Sequence, residues 1–178
     1  PGLGAKVELW MLGSSLFGAS LAAKLGLPYA FAAHFAPDHL DAALDLYRRD
    51  FQPSDALDRP HVMVAMNVFC APSAGEARLL ASSQQQSFVR LRTGNPGRLP
   101  APVEDYTDTL PAPARAMLDH IGQAAAVGTP REVRESMGAF IARTGADEIM
   151  LCGAAYDAGA RIRSLEMTME ALEVEPAT

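Results

Sequence analysis

The segment Val7–His34 reads VELWMLGSSLFGASLAAKLGLPYAFAAH. Val7–Leu12 is a short apolar run of strand type that stops at Gly13-Ser14-Ser15. Leu16–Leu25 is rich in Ala and Leu and reads as a helix. Gly26 stands where a left-handed residue closes a helix, with Pro28 just beyond. Tyr29–His34 is a second strand. A strand, a helix and a strand joined by such short connections form a parallel βαβ unit.

The same alternation continues outward. Pro37 opens a helix through Tyr47–Phe51, with Leu40, Ala43, Leu44 and Tyr47 on one face. His61–Ala71 (HVMVAMNVFCA) is a third strand, apolar almost throughout, as when both faces are covered by protein. Ser73 and Glu76 have capping-box spacing and start a helix that reaches about Arg92. Residues 95–113 form a Pro/Gly-rich excursion. Ala114–Ala126 has a helical pattern, and Thr129 (N-cap) with Pro130 (N1) starts another helix that ends at Gly145. Glu148–Cys152 is a fourth strand and Ala158–Leu172 a final amphipathic helix. The expectation is a single α/β domain over 1–178 built of four parallel βα units. Periodicity leaves open a small doubly wound sheet or half of an eight-stranded barrel.

Composition excludes several classes. The 178 residues are 49% hydrophobic and 20% charged, with net charge −6 and pI near 5.1. Fifteen scattered Lys and Arg form no basic face to neutralise phosphates along a strand, so no nucleic-acid partner is expected. No apolar run approaches the roughly 20 residues that span a bilayer. Residues 1–6 offer no signal-peptide core. Cys70 and Cys152 sit in apolar strands and read as free thiols of a cytoplasmic protein. Neither they nor the dispersed His34, His39, His61 and His120 have metal-ligand spacing.

Gly13-Ser14-Ser15 lies where a parallel strand hands over to a helix N-terminus, the functional edge of open sheets and barrels alike. Unpaired N–H groups and the positive end of the helix dipole favour an anion there. Gly13 permits close backbone approach and Gly18 keeps the first turn narrow. Taken alone, the same three residues are equally the cap and turn of an ordinary helix.

The wider segment, WMLGSSLFGASLAAKLGLPYAFAAHF, resembles luciferase-like flavin monooxygenases, with Gly-Ser-Ser, Leu-Ala-Ala, Gly-Leu-Pro and an aromatic strand ending in His. YRRDFQPS (Tyr47–Ser54) is similar to that family's Tyr-Arg…Phe-x-Pro-Ser stretch. Gly128-Thr129-Pro130 with Val133, Gly145–Met150, Tyr156-Asp157 and Arg161–Ser164 match its closing elements in order. The resemblance implies the C-terminal half of a (βα) eight-stranded TIM-type barrel. It also implies reduced FMN as co-substrate, dioxygen, a small organic substrate, and electrons from NAD(P)H or a flavin reductase. By the same resemblance Ser14 and Ser15 hold the flavin phosphate, with the backbone of Leu12 and Gly13 close to the flavin. Gly18 stands where relatives carry Ser or Thr, so one donor is missing and weaker flavin binding is expected. With Pro1 in place of an initiator Met, the expectation is a C-terminal portion of a longer protein, or a short chain completed by homo-oligomerisation. A deazaflavin-dependent hydride-transfer enzyme and a non-catalytic flavin-binding protein are the alternatives.

Other residues carry two readings each. His34 is a polar group of the flavin or substrate pocket, or a hydrogen-bonded histidine under the following loop. Trp10 reads as mid-strand core packing. It has a flavin-stacking ring as its second reading. Asn67 is a pocket residue or part of a buried network, and Arg161 and Arg163 reach a phosphate or pair with Asp157 and Glu166. Asp147 and Glu148, superficially a catalytic carboxylate pair, face water at a helix-to-strand turn.

Overall fold

A computed structural model describes residue 4 and residues 6–173; the remaining positions of the 1–178 span lie outside the described residues. These residues fall into two compact units, one up to Ala65 together with Thr144–Met150, the other Met66–Arg143 with the residues from Leu151 on.

In the first unit, β1 (Met11–Gly13), β2 (Tyr29–Phe31) and the start of β3 (Val62–Cys70) are parallel neighbours, with Met11 beside Tyr29 and Tyr29 beside Val62. β5 (Glu148–Cys152) also pairs with β3. Both first strands are shorter than the apolar runs suggest. Met11 N donates to Pro28 O at 2.9 Å, and Pro28 has no N–H to carry the ladder further back. Beyond Phe31 the chain turns, Ala33 N donating to Phe31 O at 3.0 Å. Helix α2 (Leu40–Asp50) starts one turn later than Pro37, because Leu40 N first closes a turn onto Pro37 O at 3.0 Å.

Helix α1 (Leu16–Leu25) buries a stripe of small residues, Ala19, Ala22 and Ala23, and packs on α2. Leu40, Ala43, Leu44 and Tyr47 of α2 are buried, the face expected from their spacing. Tyr29, Phe31, Val62 and Val64 alternate onto the same layer and are fully buried. Each large side chain so buried contributes about 1.5–3 kcal/mol. The stretch Tyr47–Ser54 is a set of ties around this core. Tyr47 Oη donates to Leu27 O at 2.8 Å and accepts from His61 N at 3.2 Å. Arg48 Nη2 donates to Thr144 O and Gly145 O, both at 2.7 Å, supplying partners for carbonyls that a helix end leaves open. Ser54 Oγ donates to Gly26 O at 2.9 Å.

In the second unit the end of β3 pairs in parallel with β4 (Ala125–Gly128), from Asn67 beside Ala125 to Cys70 beside Gly128. This strand corrects the helical reading of Ala114–Ala126: the helix there, α4, is Ala112–Gly122. An Ala-Ala-Val-Gly run has no period of its own, and pairing with β3 decides its conformation. Helix α3 (Ala74–Arg92) begins with the expected capping box, Glu76 N donating to Ser73 Oγ at 3.2 Å and Ser73 N to Glu76 Oε2 at 3.2 Å. Its Gln86 Nε2 donates to Ala101 O at 2.8 Å, and its Ser82 Oγ accepts from Val103 N at 2.8 Å. The Pro/Gly-rich excursion is thereby fastened to α3. Helix α5 (Pro130–Thr144) starts on a second box, in which Glu132 Oε2 accepts from Thr129 N and Oγ1 at 2.8 Å each. Helix α6 (Ala158–Glu173) carries Ser164, whose Oγ accepts from Cys70 N at 2.7 Å. Neither Cys70 nor Cys152 is in a disulfide. Among the described residues no helix is long and apolar enough to cross a membrane.

Gly26 closes α1 at φ +61°, and a Cβ there would stand 2.5 Å from Gln52 O. Gly94 has φ +78° with nothing within 4 Å of such a Cβ. Gly94→Ala is therefore expected to cost about 1 kcal/mol, the left-handed penalty alone. Gly26→Ala should cost on the order of 3 kcal/mol, since the backbone must also move. Urea unfolding of the two variants checks the order; equal losses would contradict the close approach.

Candidate functional site

The first unit places Gly13-Ser14-Ser15 at the C-terminal end of β1 and directly before α1. Ser15 is the N-cap, extended at φ −139°, ψ 161°, and its Oγ accepts from Gly18 N at 3.4 Å. The first N–H groups of a helix have no intrahelical carbonyl. Of these, the cap takes Gly18 N, while Leu16 and Phe17, both exposed, supply the preceding two. Ser14 is half-buried beside them and Ser15 is exposed. The first turn of α1 contains no acidic residue, whereas α2, α3 and α5 carry Asp41, Glu76 and Glu132 there. An incoming anion meets the positive end of the dipole with no carboxylate to repel it.

Gly13 and Gly18 face each other across this turn. A Cβ on either would lie 3.7 Å from the other's Cα, at ordinary contact distance, and neither residue has positive φ. The chain's own packing does not require glycine at these two positions, whose Cβ directions also meet the Tyr29 ring. Below it, Tyr29 Oη donates to Ser15 O at 3.3 Å from a fully buried ring, whose burial pushes its pKa up to about 12. Tyr29 remains a neutral donor and holds the capping residue from beneath.

His34 lies in the turn after β2, three residues past its end, and its N–H donates to Ala65 O at 2.9 Å. Because β1 and β2 are parallel neighbours, His34 and the Gly-Ser-Ser turn belong to the same strand edge. Ala32 N donates to Gly13 O at 3.0 Å and links the two turns. The imidazole is half-buried, and desolvation lowers its pKa.

Other residues sit elsewhere. Trp10 is not mid-strand: it precedes β1, half-buried, with its ring edge-on to His61 at 5.5 Å. Asp147 and Glu148 are exposed, as expected, and also bond to β3 and the residue before it. Asp147 Oδ2 accepts from Val62 N at 2.8 Å, and Glu148 Oε1 lies 2.7 Å from His61 Nε2. Arg163 pairs with Glu166 at 3.4 Å and Glu170 at 3.2 Å, whereas Arg161 is joined to Asp157 by its backbone N–H. In the second unit Asn67 is buried and lines a cavity of about 320 Å³ with Phe69, Gln84, Gln85 and Phe88. The grouping of those residues was missed in the sequence, where only Asn67 stood out as polar in an apolar strand.

Residues 1–148 match the family model described as luciferase-like monooxygenase. A luciferase-like monooxygenase of Escherichia coli (strain K12) is 43% identical over 173 residues, which are 97% of this chain and 52% of that protein. YvbT of Bacillus subtilis (strain 168) is 42% identical over 167 residues, 94% of this chain and 50% of that protein. The chain spans about half the length of these relatives. Among solved structures, apo-MsnO8 superposes with TM-score 0.77 at 27% identity, over 97% of this chain and 53% of that one. The oxygenating constituent of 3,6-diketocamphane monooxygenase of Pseudomonas putida, solved with FMN, gives TM-score 0.64 at 21% identity over 99% and 51%, a likeness of fold.

His34 is expected to titrate below the ordinary histidine value of 6.5. With the folded pKa lowered, stability is full above about 6.5 and falls as pH drops toward the folded value, since the unfolded chain takes the proton first. NMR titration of its ring protons, with thermal unfolding of wild type and His34→Asn between pH 5 and 8, checks both signs. A ring midpoint at or above 6.5, or an acid loss that His34→Asn leaves unchanged, would contradict the burial.

Proposed function

The chain belongs to the luciferase-like monooxygenase family, and from that membership we propose that it holds the phosphate of FMN at Gly13-Ser14-Ser15 as the phosphate-gripping part of a flavin-dependent monooxygenase. The observation that carries this reading is the acid-free start of α1 directly after a parallel strand, with two glycines facing each other at the turn. A phosphate monoester fits the donor set, because charge-assisted hydrogen bonds from hydroxyl and backbone N–H groups are about twice as strong as neutral ones. Ser14 and Ser15 supply hydroxyls, Leu16 and Phe17 supply N–H groups, and Gly13 lets the flavin chain approach the backbone of Leu12 and Gly13.

When bound, reduced flavin supplies the electrons and the reaction with dioxygen. The residues of this chain bind and orient. Tyr29 keeps Ser15 in place, and the tie from Ala32 to Gly13 keeps the two turns in register. His34, neutral near pH 7, is the polar group we assign to the pocket at this edge, able to donate at one ring nitrogen and accept at the other. NAD(P)H, directly or through a reductase, is the electron source in this reading, and a small organic compound the substrate.

FMN and riboflavin differ by the phosphate alone, which makes the pair a direct test. FMN is expected to bind about tenfold or more tightly than riboflavin, and Ser14→Ala or Ser15→Ala should remove most of that difference. Equal affinity for the two flavins would overturn the proposal.

Gly18→Ser is expected to strengthen FMN binding. Its Cβ would meet Gly13 Cα at 3.7 Å and Tyr29 Cε2 at 3.8 Å, both ordinary contacts, so the added carbon is accommodated. One further charge-assisted bond is worth about 1.5–3 kcal/mol, roughly tenfold or more in affinity. Fluorescence titration with FMN measures it; no gain, or a gain shared by riboflavin, would contradict the missing-donor argument.

A further inference from the structure

We infer that the cavity in the second unit, bounded by the end of β3, β4, α3 and α4, is a binding site for a neutral aromatic molecule that carries a carbonyl or amide group. Its volume of about 320 Å³ falls within the range of small-molecule sites. Phe69 of β3, Phe88 of α3, and Leu118 and Ile121 of α4 make the walls apolar. Flat apolar ligands gain most from such walls, through both burial and ring contact.

The polar groups decide the class of ligand. Asn67, Gln84, Gln85 and Ser136 line the cavity, and among the described residues that line it none is charged. An amide presents one acceptor and two N–H donors. It satisfies carbonyl, amide or hydroxyl groups but offers no counter-charge to a carboxylate or ammonium ion, whose desolvation would go uncompensated. Gln84 is already held at its acceptor end, Oε1 accepting from Ala154 N at 2.6 Å, so its NH2 is the end left to donate. Gln86, the third of the run, is turned to Ala101 O and takes no part. Asn67 is 3% exposed. It lines the cavity wall among these apolar side chains.

Gly122, the last residue of α4, is exposed and lines the cavity. A Cβ there meets nothing within 4 Å, so a large side chain can be introduced without strain. Use of the cavity for the oxidised substrate rests on the monooxygenase reading; the cavity and its preference for neutral ligands do not.

The test uses the full chain free of flavin, with 2-naphthamide and 2-naphthoate as probes that share their rings and differ in charge. Calorimetric titration should give saturable one-site binding of 2-naphthamide, with 2-naphthoate weaker by about tenfold or more. Gly122→Phe should weaken 2-naphthamide by a similar factor with the thermal midpoint retained, and Gln85→Leu should narrow the gap between the two probes. Equal binding of the probes, no saturable binding, or undiminished binding by folded Gly122→Phe would overturn the inference. FMN titrated into the same samples separates the two proposals. FMN affinity retained by Gly122→Phe while 2-naphthamide is lost supports a distinct cavity. Loss of FMN affinity by Ser14→Ala with 2-naphthamide binding unchanged touches the phosphate site alone.

Discussion

A helix that starts directly after a parallel strand must leave its first N–H groups without carbonyl partners, and at α1 the Ser15 cap meets Gly18 N with no acidic side chain in the first turn. At α3 and α5 the same need is met internally, by Glu76 and Glu132 folding back onto the cap. At α1 the cap is Ser15, the first turn has no acid, and Gly13 and Gly18 face each other at the turn. The electrostatics of this one turn therefore point outward. An anion that carries its own charge to this position completes what carboxylates complete elsewhere in the molecule.

The turn is useful only if it is rigid, and the ties around it explain much of the first unit. Tyr29 fixes Ser15 from a buried position, and its raised pKa keeps the ring neutral and donating. Tyr47 joins the residues before β2 and β3 through one hydroxyl. Ser54 and Gln52 bind the closing turn of α1, Gln52 N donating to Ala23 O at 2.9 Å. Both ends of α1 are thus held, one by a buried tyrosine and the other by a chain segment that leaves no room for a side chain at Gly26. Preorganised donors avoid paying ordering entropy when the ligand arrives.

Much of this was legible in the sequence. The α1 boundaries, the Gly26 closure, the buried face of α2 and the Ser73–Glu76 box follow from local rules, and local bonds realise them. The α/β class of parallel βα units is likewise observed, and the resemblance to luciferase-like monooxygenases agrees with the family match. What local rules miss depends on partners far away in sequence. Ala125–Gly128 is a strand because β3 is long enough to pair with it, and no periodicity of four small residues reveals that. β1 is short because Pro28, seventeen residues from Met11, ends the ladder. Asp147 and Glu148 read as solvent-facing until Val62 and His61 are placed beside them. The cavity around Asn67 escapes sequence reading for the same reason, since its three amides come from a strand and a helix whose facing sides only packing defines.

The central claim is that the start of α1 receives the flavin phosphate. Amide 1H–15N spectra of the chain, recorded with added FMN and with riboflavin, address it atom by atom. The account predicts that FMN, and not riboflavin, moves the amide resonances of Ser14, Ser15, Leu16 and Phe17 strongly downfield, as N–H groups that gain a phosphate acceptor do. Identical spectra for the two flavins at these four residues, with FMN bound, would contradict it.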